Sequence, residues 1–265
     1  MIVKKNISPL SLAVPALFDF VATILMFIAL TMIPASVYQM MRGFTNVATP
    51  IISIYFLDLK QYRHHWLGIV SIVIGVAAVG AVAMDYDETN DLVGSTWLGI
   101  LLVLIAQVFV AGLFVVEEYF LSGYKIEPLK ICGLEGMWGL LFSMAALPFL
   151  QLIKCTDNQL CRFGYAENSA YIVHQMNDNP AIIWVTLSFA ISVGIYNVVG
   201  ITTTQISSSS QRASIDTARI IVVWAFSVWL GLEKFHWEST FGFAFLAFGT
   251  VVYNEMLVLP FCGLN

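Results

Sequence analysis

The apolar positions of this chain fall into eight blocks of membrane-crossing length, roughly 10–32, 36–57, 66–84, 97–120, 131–153, 181–203, 211–231 and 238–258. About 20 apolar residues cross the hydrocarbon core of a bilayer as a helix, so each block predicts a transmembrane helix. Between them lie the polar runs LDLKQYRHHW, MDYDETNDLVGS, SGYKIEPLK, the long KCTDNQLCRFGYAENSAYIVHQMNDNP, and LEKFHWE, none of which reads as a soluble domain. In hydrocarbon no water satisfies the backbone, so each span must hold its own hydrogen bonds. The pattern predicts an all-α polytopic membrane protein, a single transmembrane domain over residues 1–265.

Composition agrees. The 265 residues are 59% hydrophobic and 11% charged, against about a quarter charged in soluble domains. A net charge of −5 with no basic cluster excludes a nucleic-acid surface. Lys4 and Lys5 precede an apolar run without a small-residue cleavage site, so the first helix serves as its own insertion signal. With eight spans, the side holding both termini carries Lys4, Lys5, Lys60, Arg63, Lys125 and Lys130, while the other carries Lys154, Arg162, Lys234 and the acidic DYDETND. That asymmetry places both termini in the cytosol or a mitochondrial matrix. On that side the sequon at Asn6 is not a glycosylation site. Of four cysteines, Cys155 and Cys161 share one polar loop, either as a disulfide in an oxidising compartment or as two free thiols.

Ionisable residues inside spans are costly, face the bundle interior and are candidate functional groups by default. Asp19 lies about nine residues into the first span, ~14 Å deep at 1.5 Å per residue. Arg42 is in SVYQMMRGF, Glu117 and Glu118 close the fourth span in VVEEYF, Glu135 opens the fifth in LEGMWG, and Asn197 sits inside the sixth in IYNVVG. Arg212, Asp216 and Arg219 follow i,i+4 and i,i+3 spacing and so share one helical face. An Asp between two Arg leaves one net positive charge directed inward, which suits a polar or anionic solute; a structural ion-pair network is the competing reading. For Glu117 and Glu118 a solvated helix end is favoured. Gln107 and Asn197 also suit interhelical hydrogen bonding, and His64, His65, His174 and His236 read as solvated. No GxSxG, HExxH, phosphate loop or metal-binding cluster occurs, so neither an enzyme nor a cofactor is called for.

Gly68 and Gly75 recur as Gly242 and Gly249, 174 residues later, and the same offset pairs Ser36 with Ser210 and Arg42 with Asp216. Duplicated halves are a mark of secondary transporters. Division at the acidic loop gives 10–84, with three helices, and 97–258, with five.

The runs PALFDFVATILMFIALTMIPASVYQMMRGF, WLGIVSIVIGVAAVG, VVEEYF, LEGMWG, IYNVVGI and QRASIDTARIIVVWAFSVWLGLEKFHW resemble the drug/metabolite transporter superfamily. The match is to the F branch of solute carrier family 35, which is nucleotide-sugar-transporter-like. The resemblance implies ten helices in two inverted halves around a central cavity, with alternating access. This chain's helices look like the third to tenth of that plan, the first two being absent. It also implies substrate contact by Asp19, Gln39, Arg42, Asn197, Arg212, Asp216 and Arg219, with Glu118 and Glu135 in support. The solute is expected to be polar or anionic, of the nucleotide-sugar or metabolite class. The membrane is expected to be intracellular, mitochondrial inner or lysosomal. The lipid bilayer is the general partner. The alternative is a non-transporting structural subunit associated with other membrane subunits.

Overall fold

The computed structural model describes residues 8–58, 62–85, 96–124, 126–152, 169–229 and 237–253. These form ten α-helices and, among the described residues, no strand: α1 (Ala13–Leu30), α2 (Ala35–Met41), α3 (Thr45–Leu57), α4 (Arg63–Asp85), α5 (Thr96–Tyr124), α6 (Pro128–Leu152), α7 (Ser169–Asp178), α8 (Ala181–Ile206), α9 (Ser209–Trp229) and α10 (Trp237–Tyr253). Asn6, Cys155 and Cys161, with the sequon and disulfide readings attached to them, lie outside the described residues.

Each of the eight apolar blocks holds helix. Among the described residues, four helical segments are long and apolar enough to cross a membrane: Pro9–Leu30, Thr96–Tyr124, Pro128–Leu152 and Ala181–Ile206. Two shorter apolar segments are His65–Ala81 and Phe241–Tyr253. The block at 36–57 is broken: a 3-10 turn over Arg42–Phe44 separates α2 from α3. Gly43 weakens helix there, and a Cβ at this position would lie 2.5 Å from Leu246 Cδ1 of α10. The exposed α7 arises within the long polar run that the sequence pattern leaves as loop.

The most extensive helix contact joins α4 to α10, followed by α1 to α5. At the first, a Cβ on Gly68 would sit 2.8 Å from the Gly249 carbonyl oxygen, and one on Gly75 would sit 2.6 Å from that of Gly242. The reverse approaches are 2.7 Å and 3.0 Å, so each glycine makes room for its mate. Small residues let backbones meet closely where lipid supplies no hydrophobic drive. Ser71 Oγ donates to the Phe245 carbonyl oxygen at 2.9 Å between the glycine pairs. Ile72, Val79 and Leu246 fill the surrounding core. His65 belongs to this packing rather than to a solvated loop: it lies in the first turn of α4, with its ring 5.0 Å from that of Tyr253. His174 is exposed, as expected, and pairs with Asp178 at 2.7 Å.

A second polar seam crosses α3, α5, α9 and α10. Thr45 Oγ1 donates to Gln107 Oε1 at 2.6 Å, Asn46 Nδ2 to Thr250 Oγ1 at 3.3 Å, and the Ser53 and Ser209 hydroxyls meet at 3.2 Å. Gln107 thus serves as interhelical glue.

Candidate solute site

The serine run 207–210 is where α8 stops and α9 starts. Ser207 closes α8 with φ −121° and ψ −104°. Ser208 Oγ accepts from the Gln211 N–H at 3.2 Å, satisfying one of the free donors at a helix start. The Ser209 N–H donates to Glu118 Oε2 at 2.8 Å, so a carboxylate from α5 sits on the positive end of α9. Glu118 therefore anchors the helix that carries the arginines.

One turn on, Arg212 is 5% exposed and donates through Nη1 to Glu117 Oε2 of α5, itself 1% exposed. Thr204 Oγ1 is 3.4 Å from the same nitrogen, and the guanidinium lies 4.1 Å above the Phe114 ring. Gly200 makes this placement feasible, since a Cβ there would lie 2.9 Å from Arg212 Nε. A buried guanidinium is tolerated only when paired and hydrogen-bonded, and here α5 and α8 supply both. Glu117 is not a solvated helix end: α5 runs on to Tyr124, which puts Glu117 and Glu118 inside the bundle.

Arg212 and Glu117 line a cavity of about 800 Å³ bounded by α1, α5, α6, α8 and α9. Asp19 and Phe20 come to its wall from α1, Glu135 from α6, Phe189 and Asn197 from α8. Volume and mixed lining are those of a small-molecule site. Asp19, Asn197 and Arg212, marked in the sequence as solute contacts, meet at this one cavity, and Glu135, marked in support, lines it with them.

The remaining marked residues lie elsewhere. Gln39, Arg42, Asp216 and Arg219 are half-buried and outside this wall. Asp216 does not bridge the two arginines. It accepts the Tyr196 hydroxyl proton from α8, and the Arg219 guanidinium lies 4.7 Å above the same Tyr196 ring. The one-face spacing is real, but the i,i+4 step carries Arg212 onto α5 while Asp216 and Arg219 turn to α8. The sequence reading favours a solvated helix end for Glu117 and does not single out Gly200 or Tyr196; the available signal was the VVEEYF pair, since a buried Arg212 requires a buried acid.

This architecture is that of a polytopic helical membrane protein with an ionisable cavity inside its bundle. A nucleotide-sugar transporter family model matches residues 1–126. The rat and human forms of solute carrier family 35 member F6 are 33% and 32% identical over 91% and 96% of this chain, which spans 65% and 68% of their lengths. The rat UDP-N-acetylglucosamine transporter is 32% identical over 40% of the chain and 33% of its own length. A solved crystal structure covering 95% of this chain, and matched over 77% of its own length, shares the fold with a TM-score of 0.57 at 13% identity. The chain belongs to solute carrier family 35.

Proposed function

We propose that this protein is a non-enzymatic solute transporter that moves a polar organic solute by alternating access, with the α1–α5–α6–α8–α9 cavity as the solute site. The observation that carries the reading is the cavity itself: charged and amide side chains from five helices converge on one space of small-molecule size. Buried ionisable groups in membrane helices mark solute pathways. Asp19, Glu135, Asn197 and Arg212 are the solute-facing set, and Glu117 holds Arg212. Gln39 lies in the last turn of α2 and Arg42 opens the 3-10 turn between α2 and α3, which supplies a hinge. Asp216 and Arg219 fasten α9 to α8 through Tyr196.

The reciprocal glycine contacts of α4 and α10 support the division into related halves, 10–84 and 97–258, because residues 174 apart take equivalent places on the two helices. The name of the UDP-N-acetylglucosamine transporter favours a nucleotide sugar as the solute; the family resemblance and the loop charges support an intracellular membrane, mitochondrial inner or lysosomal, with both termini on its cytosolic or matrix side. A second reading, a non-transporting subunit of a larger membrane complex, is favoured by α6 and α8, which bury almost none of their apolar windows within this chain.

Counterflow in liposomes preloaded with either UDP-N-acetylglucosamine or benzyltrimethylammonium tests the proposal. Protein-dependent uptake of either labelled solute supports transport. No flux of either by a cooperatively melting protein would favour the structural subunit.

A further inference from the structure

The cavity wall carries three carboxylates, Asp19, Glu117 and Glu135, against one guanidinium, Arg212. Arg212 is consumed by Glu117 and by the Phe114 face. The other membrane-embedded arginines do not supply the deficit, because Arg42 and Arg219 lie outside the wall and Arg219 is stacked on Tyr196. Asp19 and Glu135 form no ion pair among the described residues, although both lie in the field of Arg212; Glu135 also sits against the Glu117 carboxyl, and its Oε1 is buried with no hydrogen-bond partner. An anionic diphosphate placed here would meet two acidic side chains outside the Arg212 ion pair and no unspent cation. We propose that the site takes an organic cation, an ammonium-type solute whose charge is met by Asp19 and Glu135. This rests on the transport reading and changes the solute class that the relatives' names suggest.

Three further features fit that ligand. Phe20 and Phe189 line the cavity, and Phe20 is braced by Phe142 with ring centroids 6.0 Å apart. Aromatic faces attract cations, most strongly where water is excluded, and quaternary ammonium groups are recognised this way. The space of about 800 Å³ far exceeds what an inorganic cation fills. Asn197, Thr23 and Ser143 add neutral hydrogen-bonding groups for the uncharged part of a solute. The Arg212–Glu117 pair has zero net charge and acts as a polar floor, so it neither recruits an anion nor repels a cation strongly.

The test is equilibrium binding to the purified full chain in lipid nanodiscs, with benzyltrimethylammonium as the cation probe and UDP as the anion probe. The expected result is saturable binding of benzyltrimethylammonium, weakened at least tenfold by Asp19→Asn and by Glu135→Gln and unchanged by the exposed Asp178→Asn. UDP is expected to show no saturable binding. Both carboxamide variants are near-isosteric, and their melting curves check that the fold survives. Saturable UDP binding with none of benzyltrimethylammonium would overturn the cation class and leave transport standing for an anion. Cation binding indifferent to both substitutions would overturn the assignment to this wall. No binding of either probe would overturn the cation class, while the liposome counterflow separately decides whether the protein transports at all.

Discussion

Along α4 and α10, glycines at 68, 75, 242 and 249 bring backbone against backbone, and hydrophobic side chains close the gaps around them. Across the bundle, α1, α5, α6, α8 and α9 hold side chains apart around an ionisable cavity. Both regions are built from apolar helices, yet one excludes everything and the other keeps room. The difference lies in what each must satisfy. The α4–α10 seam asks only for close approach, which the absence of a Cβ provides. The cavity wall must neutralise charge, so its stability depends on particular partners placed by different helices. In the alternating-access proposal, the glycine seam would serve as the fixed element.

The comparison breaks most sharply at Glu117. Its replacement by Ala leaves Arg212 buried and unpaired, a loss of about 3–5 kcal/mol. The expected outcome is a strong drop in melting temperature and in monodisperse yield on fluorescence-detected size exclusion. Replacing both partners, Glu117→Met with Arg212→Met, should restore much of that stability while weakening solute binding by reshaping the cavity wall. Recovery of binding in the double variant would show that the pair is not part of the site.

Next in size is the seam. Gly249→Ala places a Cβ 2.7 Å from the Gly68 carbonyl oxygen and 2.9 Å from Ile72 N, with no flexible side-chain end to yield at the backbone contacts. Overpacking of this kind costs about 1–3 kcal/mol. Thermal unfolding should show the loss, with probe affinity nearly unchanged in the folded fraction. A change in affinity without a change in stability would mean that the seam is not the fixed element.

Gly200→Ala links the two regions, since it applies the logic of the seam to the cavity. The new Cβ would press on the Arg212 guanidinium at 2.9–3.1 Å. Because that contact is with a side-chain end, the stability cost is smaller, about 1 kcal/mol, while probe affinity should fall several-fold. Glu118→Gln is the mildest: it keeps an acceptor for the Ser209 N–H but removes the charge from the start of α9, worth about 0.3–1 kcal/mol. A small decrease in melting temperature with near-normal binding is the expected measurement.

Much of this was legible in the chain. Among the described residues each twenty-residue apolar block holds helix, because hydrocarbon forces each segment to close its own hydrogen bonds, and four of the helical segments are long and apolar enough to span. The repeat of Gly68 and Gly75 at Gly242 and Gly249 marked the residues of the tightest contact, although only the fold showed that the two copies pack on each other. Asp19, Asn197 and Arg212 were found as rare polar residues in apolar runs. The break at Arg42–Phe44 was hidden within one continuous apolar block, since the close approach of Leu246 that favours Gly43 comes from the far end of the chain.

Partnership was where local spacing failed. The i,i+4 relation of Arg212 and Asp216 is an accurate statement about one helix, but a long side chain on a bundle helix reaches a neighbour as easily as its own next turn. Glu117 is 95 residues away from Arg212 and Tyr196 is 20 residues from Asp216, and both outcompete the local pairing. The sequence by itself determined that this chain lives in a membrane, where its helices run and which residues are too polar for lipid. Only the tertiary structure decided which of those charges cancel and which remain open to a solute, because cancellation depends on distances between helices that no local periodicity encodes.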